Sequence, residues 1–285
     1  MNRQSGINQQ FAFSRWNKLV ALHWADNRKR YLLAVLAMFG LLVVWFSFLL
    51  IMNRYNPMDD GMQAVTYYTG LLLVGCLYAS TIFAAFGSKA QGIAWLSVPA
   101  SALEKLLCGL LFSVVLFFLV YTVMFFLVDI PMVEICNQLI ERQHRMWSVG
   151  YPIQPDPIYN VLKGLPNDVY DNQYNLFLLA YFALQATFVL GSVYFSRYAF
   201  IKTTVAVLIF ILCFMCLEVR VIEPMLPDGF QRHPMLDWIK DQDTLNVKAI
   251  RLSPVISAPL GYLLIYGTPF VFWIATYFRL KEKEV

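Results

Sequence analysis

The side chains that most often carry catalysis are few in this chain and stand apart from one another. The three histidines are His23, His144 and His233, and neither they nor the five cysteines have the spacing of a metal site. The motif HExxH is absent, and no pair of carboxylates for acid–base chemistry lies inside an apolar run. The phosphate-binding motif GxxxxGK[ST] is excluded because the dipeptide Gly-Lys never occurs. We therefore predict that the chain is no enzyme and binds no metal or cofactor itself.

The composition is that of a membrane protein. Hydrophobic residues make up 59% of the 285 residues and charged residues only 14%, against about 25% in soluble domains. The apolar residues fall in blocks of about 20, the length at which a helix crosses a bilayer. The blocks are residues 31–52, 64–87, 106–128, 176–195, 203–217 and 258–278. The predicted fold class is an all-α polytopic membrane protein with six transmembrane helices, an N-terminal interfacial helix and two long extracytoplasmic excursions.

The distribution of charge predicts the orientation of these spans. With both termini inside, the inner segments hold 13 of the 22 basic residues and 4 of the 18 acidic ones. Lysine and arginine favour the cytoplasmic side of a membrane, so both termini are predicted to be cytoplasmic. The outer excursions are residues 129–175 and 218–257, and loops of this length usually carry structure or function. Two interpretations stay open: the excursions pack on each other, or they form a cap that touches a partner. In the second excursion, apolar and polar residues alternate over "TLNVKAIRLS" as in a short strand.

The first 30 residues form a cytoplasmic segment that contains an amphipathic helix. Phe13, Trp16, Val20 and Trp24 share one helical face, and basic residues lie elsewhere. An aromatic face opposite a basic one is typical of a helix in the membrane interface. Two readings stay open, an anchor that sets the topology or a lever that leads into the first span.

No Asp, Glu, Lys, Arg or His occurs within the six apolar blocks. Ionisable groups inside membranes mark proton relays and ion paths, so their absence argues against transport driven by an ion gradient. Because the chain lacks a nucleotide-binding motif as well, energy for any work must enter from another polypeptide at the inner face.

The inner loop at residues 88–105 offers a docking element for such a partner. Its sequence "SKAQGIAWLSVPASALEK" predicts a two-turn surface helix, a break before Pro99 and a new helix that starts at a capping box of Ser101 and Glu104. For Ser101 and Glu104 alone, the simpler interpretation is that they begin the third span.

The chain resembles the permease subunits of type 2 ATP-binding-cassette exporters of the small six-span bacterial type. The resemblance lies in the architecture and, in sequence, in the loop "LSVPASALEK" after "GSKAQGIAW". It implies a coupling helix at residues 88–96, an interfacial helix at 13–24 and an interrupted segment near residues 252–261. The long link at residues 129–175 departs from many members of the family.

The resemblance also implies partners and a location. A separate cytoplasmic ATPase subunit would bind ATP and magnesium, and two permeases, identical or paralogous, would pair in the bacterial inner membrane. The residues expected to couple to the ATPase are Ser88, Lys89, Gln91, Gly92, Trp95, Pro99, Ser101, Glu104 and Lys105. No interaction with nucleic acid is expected.

Three functions stay open on the sequence. An exporter permease would move hydrophobic or amphipathic cargo along a lumen that includes Phe117, Tyr121 and Phe125, a stripe that equally suits helix packing. A non-transporting membrane subunit would use its outer segments to sense or scaffold a partner, with or without an ATPase. A membrane enzyme has the least support, because no catalytic constellation is present.

Overall fold

The fold is described from a computed structural model. It describes residues 11–52, 58–84, 92, 95, 97–147, 158, 173–195, 197–217, 220, 230–232, 239–241, 247–248 and 254–284. Within these residues helices dominate. They are α1 (Phe13–Met52), α2 (Asp60–Ala79), α3 (Ala102–Leu110), α4 (Phe117–Trp147), α5 (Gln173–Tyr194), α6 (Ala199–Leu217) and α7 (Pro254–Glu284).

Among the described residues, five helical stretches are long and apolar enough to cross a membrane, as the sequence predicts for a membrane protein. They overlap the first five predicted spans, although helix α2 ends at Ala79, before the predicted end of the second span at Gly87. The sixth predicted span lies within α7, whose backbone is helical from Pro254 onward. The predicted interruption at residues 252–261 is therefore wrong for residues 254–261, because the helix continues through Pro259 and Gly261.

The predicted interfacial helix and the first span form a single helix. Helix α1 runs for 40 residues without a break, so the amphipathic part is its first third. Nothing in its sequence stops the helix, since neither Pro nor Gly separates residues 24 and 31. Movement of the amphipathic part is thus linked directly to the first span.

The helix that contains the third predicted span extends beyond that span. Helix α3, a π-helical turn (Leu111–Leu116) and α4 follow one another without interruption, and we call this continuous segment the third rod. It continues beyond the predicted end at Val128 and through Pro131. The continuation buries Val133, Cys136 and Ile140, which share one helical face. The helix therefore continues through Pro131, although proline removes a backbone hydrogen bond from a helix.

The first three long elements, taken in chain order, alternate in direction. Helix α1 runs parallel to the third rod, as the contacts Arg15–Glu104 and Phe46–Phe125 indicate, and α2 runs antiparallel to it. One hydrophobic cluster joins α2, α3, α5 and α7 around Phe83, Leu106 and Leu280; we call this the basic end, because Arg15, Lys105 and Lys283 lie there. The opposite end, around Met58 and Val133, is the far end.

The segment predicted as the second outer excursion contains a small sheet. Three strands, β1 (Phe230–Arg232), β2 (Ile239–Asp241) and β3 (Val247–Lys248), pair antiparallel in the order β1-β2-β3. In the register, Phe230 pairs with Asp241 and Ile239 pairs with Lys248. Strand β3 lies inside the alternating sequence "TLNVKAIRLS", so the strand predicted there is confirmed over two residues.

Candidate functional site

The start of the third rod is built as the sequence predicts. Ser101 is the N-cap of α3, and its hydroxyl accepts a hydrogen bond from the Glu104 backbone N–H at 3.3 Å. The Glu104 carboxylate accepts one in return from the Ser101 N–H at 2.9 Å. The capping box is therefore confirmed, and it uses two of the backbone donors that a helix start leaves free.

Glu104 also binds the start of α1, which the sequence does not predict. Its carboxylate accepts hydrogen bonds from Arg15 Nε and Nη2, each at 2.7 Å, and from the Ala12 backbone N–H at 2.8 Å. The carboxylate is fully buried, whereas the Arg15 side chain is 27% exposed. We call Arg15, Ala12, Ser101 and Glu104 the clamp, because one carboxylate joins the beginnings of α1 and α3.

The clamp is electrostatically satisfied. Glu104 lies two residues before the third apolar block, and burial alone would raise the pKa of its carboxyl group. The hydrogen bonds from Arg15, Ala12 and Ser101 outweigh that effect and lower the pKa to about 2. The carboxylate is therefore ionised at any physiological pH, and its bonds to Arg15 are charge-assisted.

Two other predicted coupling residues face the protein interior. The Lys105 ammonium lies 4.9 Å from the centre of the Trp95 ring, and Trp95 meets Phe83 edge to face at 5.7 Å. Lys105 is only 2% exposed. Lys105, Trp95 and Glu104 thus hold the loop against the bundle, and a docking partner would not meet Glu104 or Lys105 directly.

Within the described residues of the predicted coupling loop, the exposed part is the turn before α3. Ser97 and Pro99 are exposed, and Gly92 is buried in a helical conformation. Ser88, Lys89 and Gln91 lie outside the described residues. A partner that approached the described part of the loop would therefore meet the turn at residues 97–100.

The aromatic face of the interfacial segment is only partly covered. Phe13 is 67% and Trp24 48% exposed, whereas Trp16 and Val20 are half-buried. The Phe13 and Trp16 rings lie 5.6 Å apart. Exposed aromatic rings at this end agree with contact to a membrane interface, where such side chains are enriched.

Two of the three predicted lumen residues, Tyr121 and Phe125, pack inside the bundle, whereas Phe117 is half-buried and lines an apolar groove on the side of the bundle. Tyr121 and Phe125 have no exposed surface, and the Tyr121 hydroxyl donates a hydrogen bond to the Tyr67 carbonyl at 3.0 Å. Phe117 stacks on Tyr78 with ring centres 5.4 Å apart. In this structure the stripe is a packing core between α2 and the third rod, and the helix-packing interpretation describes it better than a lumen does.

A second buried carboxylate also escapes the sequence analysis. Asp129 directly follows the third predicted span, yet the helix continues and buries it completely. Neither of its carboxylate oxygens has a hydrogen-bond partner. In the sequence Asp129 lies at the boundary of a predicted span, where a carboxylate is expected to face water, so the sequence does not indicate its burial.

The described residues contain no group of three or more His, Cys, Asp or Glu side chains that could hold a metal ion. No family model, curated protein or solved structure matches this chain.

Proposed function

We propose that this chain is the membrane-spanning permease subunit of an ATP-driven exporter that moves a hydrophobic or amphipathic cargo. A separate cytoplasmic ATPase would dock at the inner loop at residues 88–105 and hydrolyse ATP with magnesium. In this proposal the permease works as a dimer with itself or a paralogue, in the bacterial inner membrane with both termini cytoplasmic.

The observation that carries the proposal is the clamp. Force on the turn at residues 97–100 would reach Ser101 and α3 through the backbone, and the buried bonds of Glu104 would pass it to Arg15 and Ala12. Because α1 is one continuous helix, a displacement of Arg15 moves the first span as well. A transporter driven by a separate motor needs such a connection between loop and spans, since energy enters at one face and acts across the membrane.

The energy source and the cargo class are argued from the sequence. The chain has no nucleotide-binding loop, and its six apolar blocks contain no ionisable side chain that would couple transport to an ion gradient. Spans without charge suit a cargo that is itself apolar or amphipathic better than they suit an ion.

The test is co-purification with candidate ATPases of the ATP-binding-cassette type from the same genome. We compare the native chain with Ser97→Trp, which places a bulky side chain on the exposed turn. A disrupted docking surface costs about 1.4 kcal/mol or more, so retained ATPase should fall about tenfold or more.

The matched control is Gln138→Trp, which adds the same side chain at an exposed position near the far end. It should retain the ATPase at the native level. Failure of every candidate ATPase to bind the native chain would overturn the proposal, and equal losses in both variants would remove the turn from the docking surface.

The sheet β1-β2-β3 favours a second candidate function. It gives the outer excursion at residues 218–257 paired strands, which a mere connection between two spans does not need. The alternative is a non-transporting membrane subunit whose outer segments scaffold or sense a partner. Such a subunit could work with an ATPase or without one. Trans-bilayer movement of a fluorescent lipid in reconstituted vesicles with ATP and the ATPase separates the two, because only the exporter would accelerate it.

A further inference from the structure

An apolar groove opens on the side of the bundle between α1, α2 and the third rod. Its volume is about 260 Å³. The walls come from all three elements: Trp24, Tyr31, Val35, Val74, Phe112 and Leu116. Ligand pockets for drug-sized molecules occupy about 300–1,000 Å³, so this groove suits one extended chain better than a bulky molecule.

The groove passes the only irregular turn in the described part of the third rod. Phe112 and Leu116, both within the π-helical turn, contribute to its wall. Turns of this kind inside α-helices occur frequently at functional sites, because they shift side chains out of the regular helical register. Here the Phe112 ring stacks on Tyr31, with centres 5.6 Å apart, at one end of the groove.

Polar and charged side chains lie at that end of the groove. His23 Nε2 and the Tyr31 hydroxyl share a hydrogen bond of 2.5 Å, and burial lowers the pKa of His23. Asp26 and Arg30 are both exposed on α1 and lie close enough for their charges to act on His23, and the charge of Arg30 also acts on Tyr31. Trp24, 48% exposed, completes the rim.

We propose that this groove binds one acyl chain of an anionic phospholipid of the surrounding bilayer, with the headgroup at Arg30. The charge of Arg30 complements a phosphate group, and an aromatic and basic rim above an apolar wall matches the boundary between headgroups and chains. The site lies apart from the clamp, so the inference does not depend on the proposed transport function.

The experiment uses the purified full-length chain in detergent and counts retained lipid by native mass spectrometry. The protein is incubated with phosphatidylglycerol, phosphatidylcholine of the same chains, or sodium oleate. The native chain should retain one phosphatidylglycerol about fivefold more strongly than phosphatidylcholine, as expected for one basic residue near an anionic headgroup. Equal retention of oleate and phosphatidylglycerol would overturn the assignment to a phospholipid.

Two pairs of variants locate the site. Ala34→Phe fills the groove, because Ala34 is part of its wall, and should abolish specific retention of both phospholipids; Leu36→Phe, on the same helix outside the wall, should not. The Arg30→Gln protein should still bind phospholipid but lose the preference for phosphatidylglycerol. Arg28→Gln makes the same charge change on another side of α1, and this protein should keep the preference.

The elution profile of each variant shows whether it is folded. Arg30→Gln alters only an exposed side chain, so the pair at positions 28 and 30 decides the headgroup contact even where Ala34→Phe fails to fold. Native-level retention in a folded Ala34→Phe protein, or equal loss of preference in both arginine variants, would overturn the proposal.

Discussion

Two carboxylates on the third rod, Glu104 at the basic end and Asp129 at the far end, are both fully buried but have opposite surroundings. Glu104 accepts hydrogen bonds from Arg15, Ala12 and Ser101. The oxygens of Asp129 accept none. Burial disfavours the charged form of both carboxyl groups, and only at Glu104 do hydrogen-bond donors offset that cost.

The difference follows from position along the helix. Glu104 lies in the first turn of α3, where backbone N–H groups are free and the helix dipole favours a negative charge. Asp129 lies within α4, where the backbone donors are used by the helix, and the acidic Asp60 is near enough for its charge to act on it. The basic end is thus built for a fixed connection, whereas the far end holds a destabilising group.

The largest effect is expected from Glu104→Ala, which leaves the donors of the clamp without an acceptor. We expect the free energy of unfolding to fall by about 3 kcal/mol. This is the low end of the range for a broken buried ion pair, because the Arg15 side chain is partly exposed. The measurement is unfolding by SDS titration in mixed micelles. The control is Glu134→Ala, at an exposed position on the third rod, which should change the free energy of unfolding by less than about 0.5 kcal/mol. Similar losses in the two variants would contradict the role given to the clamp.

A smaller effect of opposite sign is expected from Asp129→Leu. The substitution removes an unpaired buried carboxylate and its repulsion by Asp60, so the same titration should show a gain of about 2 kcal/mol. Asp129→Asn should gain less, since its amide would still be buried without partners. A loss of stability in Asp129→Leu would mean that the carboxylate stabilises the native protein after all.

The smallest effect is expected from Ser101→Ala. It removes the side-chain half of the capping box but leaves the bonds of Glu104 to Arg15, so the loss should be about 1 kcal/mol. Ser113→Ala is the control, because the Ser113 hydroxyl bonds only to the Gly109 carbonyl of its own helix. A Ser101→Ala protein as unstable as Glu104→Ala would show that the cap, rather than Arg15, holds the carboxylate in place.

Local patterns predicted local structure well. The capping box at Ser101 and Glu104 and the helices over the first five apolar blocks depend on residues that are close in sequence, and the structure contains them. The helix of the third predicted span continues past Val128, because Val133, Cys136 and Ile140 are buried by packing against other elements. The sequence around Pro131 does not reveal that packing.

The sequence by itself determined that the chain forms helices long and apolar enough to cross a membrane, since blocks of about 20 apolar residues can satisfy their backbone groups in a bilayer only as helices. It also determined where the third rod begins. Only the tertiary structure decided which charge meets Glu104, because Arg15 lies 89 residues earlier in the chain and any of several basic residues would serve as well by type. The folding of the bundle brought that arginine to Glu104 and left Asp129 without a partner, because contacts between distant elements depend on how the helices pack and not on local spacing.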